Sequence, residues 1–190
     1  MSILIYAESA EGKIKKVAFE LASYAKKVAA SMGTTVTAVT INNSDNSALA
    51  AYGVDKVLNV SNDKLNDFSA KAYADVIAQA AKKEGTQIVL VSSTTDSLYL
   101  APLVAVALEA GYASNVVALP ESTSPFQVKR TAFSNKAFNI TEISTPVKVL
   151  GIAKNSFGLV ENAAAMTEES FAPSLNDADF RIKVENVEKV

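Results

Sequence analysis

Residues 14–41 read IKKVAFELASYAKKVAASMGTTVTAVTI, and the fold follows from this stretch. Ile14, Val17, Ala18, Leu21, Ala22, Ala25, Val28, Ala29 and Met32 recur at three- and four-residue steps, the spacing that lays one apolar stripe along a helix. Lys15, Lys16, Glu20, Lys26 and Lys27 take the other side. Gly33 supplies a left-handed stop, and Thr34–Ile41 continues as a strand. A helix that feeds directly into a strand is half of a parallel crossover, because parallel neighbours need a connection of a dozen or more residues.

The same phrase recurs on both sides. Short apolar runs at Ile3–Ala7, Val36–Ile41, Lys56–Val60, Gln87–Val91 and Asn115–Leu119 alternate with helical stretches. Ser47–Tyr52 reads as a short helix closed by Gly53. Ala72, Val76, Ile77, Ala80 and Ala81 make a second stripe, capped by Asn66 or Asp67, with Lys82 and Lys83 at its negative end and Gly85 as its stop. A third helix runs from about Ser97 to Ala110 and carries Leu98, Leu100, Val104, Ala105 and Leu108. Pro102 belongs early in it, since an interior proline costs about 3 kcal/mol, and Gly111 ends it.

Beyond residue 119 the periodicity changes. Phe126–Phe133, Phe138–Ile143 and Val147–Ile152 read as strands punctuated by Pro120, Pro125 and Pro146. Phe157–Asn176 reads as irregular, with a turn near Thr167–Phe171. Phe180, Ile182 and Val184 alternate with Arg181, Lys183 and Glu185, the pattern of a half-buried strand. The expectation is one α/β domain over 1–190: a three-layer sandwich on a parallel sheet, with an alternating core at 1–119 and a β-rich C-terminal extension at 120–190.

Composition narrows the function. The 190 residues are 49% hydrophobic with a net charge of −2, and a domain of that length buries roughly 70% of its unfolded surface. The balance argues against a nucleic-acid surface; Lys13, Lys15, Lys16, Lys26 and Lys27 cluster as a solvated helix face. No stretch approaches the roughly 20 apolar residues of a membrane span. Met1-Ser2 runs straight into a strand with no secretory signal in view, and a cytoplasmic location is the expectation. Histidine and cysteine are both absent. That removes the commonest general base and metal ligand, and every thiol nucleophile, so no catalytic or metal residues are expected.

Two loops face the end of the sheet where open α/β folds bind ligands. Glu8-Ser9-Ala10-Glu11-Gly12-Lys13 has a Gly-Lys pair but lacks the other elements of a phosphate loop, and its two carboxylates would repel phosphate. Ser92, Ser93, Thr94 and Thr95 could bind an anion or nucleotide at a helix N-terminus, or they could cap that helix themselves. Adjacent Glu168 and Glu169 read as a solvated turn. Arg130, one of two arginines, sits on an edge-like strand suited to a partner contact. Tyr6 and Tyr24 read as core aromatics.

The order of these pieces resembles the N-terminal domain of electron transfer flavoprotein alpha subunits. Ile3-Leu4-Ile5-Tyr6-Ala7-Glu8 is similar to the family's opening strand with its acidic end. Ala50-Ala51-Tyr52-Gly53-Val54-Asp55-Lys56-Val57 resembles its Gly-Ala-Asp-Lys-Val segment. Val91-Ser92-Ser93-Thr94-Thr95 followed by Leu100-Ala101-Pro102-Leu103-Val104-Ala105 resembles its fourth strand and proline-bearing helix. Phe126-Gln127-Val128-Lys129-Arg130 and the run from Val149 to Phe157 resemble its later β-segments. The chain departs from the family at Ser97-Leu98-Tyr99, Leu103, Asn135-Lys136 and Lys154, where relatives carry Gly-Arg-Asp, Arg, Gly-Asn and Arg.

The resemblance implies a fold of the adenine nucleotide alpha hydrolase-like type. It implies a heterodimer with a beta subunit that takes electrons from dehydrogenases, such as the acyl-CoA dehydrogenases of fatty acid β-oxidation, through FAD. The flavin would sit on a second domain whose Ser-Gly-Gly-Arg-Gly-like motif does not occur here, the chain stopping at Val190 about where that domain should start. This domain would then be a non-catalytic scaffold holding no cofactor, with Arg130 and Lys154 as partner contacts and self-association possible in isolation. The alternative is an adenine-nucleotide-binding module resembling universal stress proteins.

Overall fold

A computed structural model describes residues 2–182. The larger elements are β1 (Ser2–Tyr6), α1 (Lys16–Met32), β2 (Thr35–Ile41), β3 (Lys56–Val60), α2 (Ala70–Glu84), β4 (Ile88–Ser92), α3 (Thr95–Ala107), β5 (Gly111–Val116), β6 (Phe126–Ala132), β7 (Ala137–Glu142), β8 (Lys148–Ile152) and β9 (Thr167–Ser170). They form one sheet in the order β7-β6-β5-β8-β4-β1-β2-β3-β9, with the short strand Ser122–Thr123 pairing off the main path onto β6. Pairing is parallel from β5 through to β9 and antiparallel at β5–β6–β7.

Both faces of the central strands are apolar, as a sheet covered by helices on both sides requires. Ile3 and Ile5 point to the layer of α1, where they meet Leu21, Ala25 and Val28. Leu4 and Tyr6 point to the layer of α2 and α3, among Tyr73, Ile77, Leu100 and Val104. Leu4 and Ile5 are fully buried, each worth on the order of 2 kcal/mol. The three-layer parallel sandwich expected from the apolar stripes is the observed fold. Gly33 closes α1 with φ 62, its N–H returning to Ala29 O.

The β-rich part is woven into this core. β8 lies in mid-sheet between β5 and β4, and β9 extends the sheet beyond β3. The expected turn at Thr167–Phe171 is therefore a strand. Its Thr-Glu-Glu-Ser sequence gives no apolar signal because backbone bonds hold it: Thr167 N–H donates to Asp55 O at 3.0 Å and Phe171 N–H to Asn59 O at 2.8 Å.

The fifth strand runs Gly111–Val116 rather than Asn115–Leu119, and α3 ends at Ala107 rather than Ala110. The left-handed residue between them is Glu109 (φ 51), so Gly111 opens the strand rather than closing the helix. Its N–H meets Thr145 Oγ1 at 2.8 Å, and a Cβ there would lie 2.5 Å from Ile143 Cγ2. Since α3 begins at Thr95, Pro102 falls in its interior and lies exposed. The start of α2 is Ser69, not Asn66 or Asp67: Asn66 instead accepts from Asn42 Nδ2, and the Ser69 hydroxyl donates to Asp179 O at 2.8 Å. Phe180 ends a 3-10 turn over Asp177–Phe180 and Ile182 is exposed, so neither belongs to the expected terminal strand; Val184 lies outside the described residues.

Candidate functional site

The sheet grows in opposite directions from β1, towards β2 on one side and β4 on the other. In open parallel sheets ligands sit at the carboxyl ends of strands at such a switch point. Both candidate loops rise there. Glu8 follows β1 and is 2% exposed. Its Oε1 accepts from Thr94 Oγ1 at 2.7 Å and Ser97 Oγ at 3.1 Å, and its Oε2 pairs with Lys15 Nζ at 3.4 Å. Thr94 Oγ1 also accepts from Ser97 N–H at 3.2 Å, capping α3. A helix N-terminus favours negative charge, and here the negative charge at α3 is the chain's own Glu8.

The four hydroxyl residues do not converge. Thr94 serves the cap and Glu8. Ser92 Oγ donates to Val17 O at 3.4 Å. Ser93 Oγ packs over Gly151, and Thr95 is exposed on the first turn of α3. Beside Glu8 lies a cavity of about 250 Å³ whose lining includes Tyr6, Phe68, Tyr73, Glu11, Lys15 and Asp96. Burial, then Tyr73, Glu8 and Asp96, push the Tyr6 phenol well above its ordinary value, so it stays a neutral hydroxyl. Glu8, Glu11 and Asp96 outnumber Lys15 on these walls, a poor setting for phosphate.

A second carboxylate escaped the sequence reading. Glu20, assigned there to the polar side of α1, is 8% exposed. Its oxygens accept backbone N–H bonds from Asn155 at 2.9 Å and from Phe157 and Gly158 at 3.0 Å each. Burial alone would raise the Glu20 pKa, but these N–H groups outweigh it and hold the carboxyl below its usual range. Phe157 is thereby set edge-on to Tyr24 at 5.6 Å, and Tyr24 donates to Ala118 O at 2.9 Å. A signal was present: Glu20 lies three residues after Val17 and four before Tyr24, on the rim of the apolar stripe.

Arg130 is not on an edge. β6 is flanked by β5 and β7, and Arg130 Nη2 donates to Ser114 Oγ at 3.3 Å. Lys154 stands exposed in the turn that Glu20 holds. Glu168 and Glu169 lie on β9 and project to opposite faces. Glu168 accepts from Asn59 and Asn46 at 2.7 and 3.1 Å, whereas Glu169 joins Lys56 and Lys83 at 2.7 Å each. Among the described residues no cluster of three or more His, Cys, Asp or Glu could hold a metal, and no helix is long and apolar enough to cross a membrane.

Residues 3–176 match the family described as "Electron transfer flavoprotein domain". The chain belongs to the electron transfer flavoprotein family. It is 28% identical over 196 residues to the electron transfer flavoprotein subunit alpha of Thermoanaerobacterium thermosaccharolyticum, covering 98% of this chain and 59% of that one. The subunit alpha of Clostridium acetobutylicum is 29% identical over 120 residues, covering 62% of this chain and 36% of the other. The lactate dehydrogenase (NAD(+),ferredoxin) subunit LctC of Acetobacterium woodii is 31% identical over 151 residues, covering 76% and 36%. The chain thus spans between about a third and three fifths of the curated relatives it matches. The likeness to the N-terminal domain of flavoprotein alpha subunits seen in the motifs is borne out.

Within the electron transfer flavoprotein family, this chain's departures fall where the structure gives them different surroundings. Ser97 is buried on Glu8, while Leu98, Tyr99 and Leu103 are exposed along α3. Lys154 stands on an exposed turn, and where the resemblance implies an arginine a lysine cannot reproduce that side chain's bidentate fork.

Proposed function

We propose that the chain is a scaffold domain of an electron transfer flavoprotein alpha subunit. With a beta subunit it forms a cytoplasmic heterodimer that carries electrons from dehydrogenases through FAD, while this domain catalyses nothing and grips no flavin. The observation that carries this reading is Glu8 seated on the N-terminus of α3. FAD brings a pyrophosphate, and the position best suited to one already holds a buried carboxylate with its hydroxyl partners. The residues present therefore do not fit the flavin's phosphates.

Acyl-CoA dehydrogenases, and with them fatty acid β-oxidation, are one source of electrons. Relatives named as a lactate dehydrogenase subunit and as an acryloyl-CoA reductase electron transfer subunit support a wider set of donors. Of the two cationic contacts offered to a partner, Lys154 is the better placed, because Arg130 is engaged with Ser114. Mixing the chain with equimolar FAD is expected to leave the free flavin spectrum unchanged; stoichiometric yellow protein would overturn the reading. An electron transfer flavoprotein beta subunit is expected to co-purify with it, less well with Lys154→Glu.

The cavity beside Glu8 favours one alternative, an adenine-nucleotide module resembling universal stress proteins, because Phe68 and Tyr73 offer aromatic walls. Calorimetry with AMP and ATP separates the two. Micromolar affinity, about −8 kcal/mol, selects the nucleotide module, and absence of heat selects the scaffold.

A further inference from the structure

Three tyrosines are buried, and one of their hydroxyls is unaccounted for. Tyr24 donates to Ala118 O at 2.9 Å and Tyr73 to Leu65 O at 2.8 Å. Tyr6 is 6% exposed, yet among the described residues its hydroxyl has no hydrogen-bond partner. Buried polar groups are normally paired, and an orphan needs an explanation. Tyr6 shares with Leu4 the layer of α2 and α3, and there it lines the cavity beside Glu8.

The walls of that cavity combine aromatic rings with negative charge. Tyr73 stands edge-on to Tyr6 at 6.1 Å and to Phe68 at 5.0 Å, so three linked rings line the space. After burial and Tyr73, Glu8 and Asp96 each push the Tyr6 phenol up, which places both charges close to its oxygen. The two carboxylates differ in what they already hold. Glu8 is balanced by Lys15 and two hydroxyls. Asp96, exposed in the first turn of α3, has neither hydrogen bond nor ion pair among the described residues.

An orphan phenol, an unbalanced carboxylate and aromatic walls select the charge of a guest. An anion meets the wrong sign, and a neutral molecule leaves Asp96 unbalanced. A cation with N–H groups answers all three, because aromatic rings also attract positive charge. The cavity holds about 250 Å³, the share of roughly eight waters, so the guest is small.

We propose that this cavity binds a small primary amine, its ammonium held between Asp96 and the Tyr6 hydroxyl and its apolar body against Phe68 and Tyr73. An ammonium offers three donors and no acceptor, which suits two oxygen acceptors. Lys15 stays on Glu8, so a single positive charge suffices. A quaternary ammonium lacks the N–H groups and leaves the phenol unpaired. The site goes beyond the scaffold reading and does not rest on it.

Calorimetric titration of the 190-residue chain with phenethylamine at low salt tests the proposal. The expected result is one-to-one binding with a Kd of about 100 μM. Phenylethanol and phenylpropionate, the neutral and anionic counterparts of the same ring, are expected to bind at least roughly ten-fold more weakly. Asp96→Asn removes the charge and is expected to weaken amine binding roughly ten-fold. Tyr6→Phe removes only the hydroxyl and is expected to weaken it about five-fold. Since that hydroxyl has no internal bond to lose, the urea midpoint of Tyr6→Phe is expected to match or exceed the parent's. Absence of binding up to about 1 mM amine overturns the proposal. So does an alcohol that binds as tightly as the amine, or an affinity indifferent to either substitution. A Tyr6→Phe chain less stable than the parent overturns it too, by showing that the phenol's partner is a structural water.

Discussion

Glu8 and Thr94 lie 86 residues apart in sequence and meet at 2.7 Å across the carboxyl ends of β1 and β4. One contact joins the first strand to the third helix and places a carboxylate where an external anion would otherwise bind. The same hydroxyl caps the helix through Ser97 N–H, so ligand site and cap compete for one group. In this chain the cap and an internal anion share it.

Removing that anion is expected to be costly. Glu8→Ala leaves the Thr94 and Ser97 hydroxyls facing a void and Lys15 without its partner. A loss of about 2–4 kcal/mol is expected in urea unfolding. Glu8→Gln keeps one carbonyl acceptor and is expected to lose about half as much. An alanine variant within about 0.5 kcal/mol of the parent would show that the carboxylate is not what holds the two loops together.

Glu20 gives a pH dependence with a definite sign. Its folded pKa lies below the unfolded value because backbone N–H groups outweigh burial. Its contribution is therefore complete above the ordinary carboxylate range and is lost as pH falls through the lowered folded value. Glu20→Gln is expected to cost about 2 kcal/mol at pH 7, where charge-assisted bonds become neutral ones, and less at pH 3. Parallel denaturant curves for parent and variant across that range measure the difference; an equal gap at both ends contradicts the assignment.

The central fold was legible because β1, α1, β2 and α2 bury continuous apolar patterns, and tertiary structure only confirms such patterns. What escaped was held by polar groups. β9 reads Thr-Glu-Glu-Ser and docks through backbone bonds and lysines borrowed from β3 and α2, which no local pattern can reveal. Glu20 looked like a solvated helix residue because its partners are amides more than 130 residues away. Gly111 misled for a different reason. Glycine after a helical pattern normally signals a left-handed stop, but here it admits Ile143 and Thr145 against the backbone. At the candidate site the two loops were found from topology and sequence. That they would be joined by Glu8 itself was not, since distance along the chain hides the pairing.

Gly111 therefore answers to space rather than to φ. Gly111→Ala would place Cβ 2.5 Å from Ile143 Cγ2 and 2.8 Å from Thr145 Oγ1, forcing β5 or the 143–145 segment to shift. A loss of about 1–3 kcal/mol is expected, with Ile143→Ala recovering part of it by opening room. A thermal melt of Gly111→Ala that matches the parent would mean the neighbours move at no cost.

The Glu169 ion pairs reinforce the backbone bonds that hold β9, and salt should loosen that reinforcement before acid does. Lys56 and Lys83 hold the Glu169 carboxyl down to about 2. Because this folded value is depressed, the anchor is present above the unfolded pKa and disappears only as pH falls through about 2. At pH 4 the carboxylate is still ionised and the Thr167 and Phe171 amides, bonded to Asp55 and Asn59, are expected to keep their hydrogen-exchange protection. The pair is solvent-exposed, so 1 M salt, with a Debye length of about 3 Å, screens it. Exchange at these two amides is expected to quicken in salt and in Glu169→Gln, while amides of β1 and β4 do not change. Equal acceleration in the central strands would place the anchor in the core packing rather than in the lysine pair.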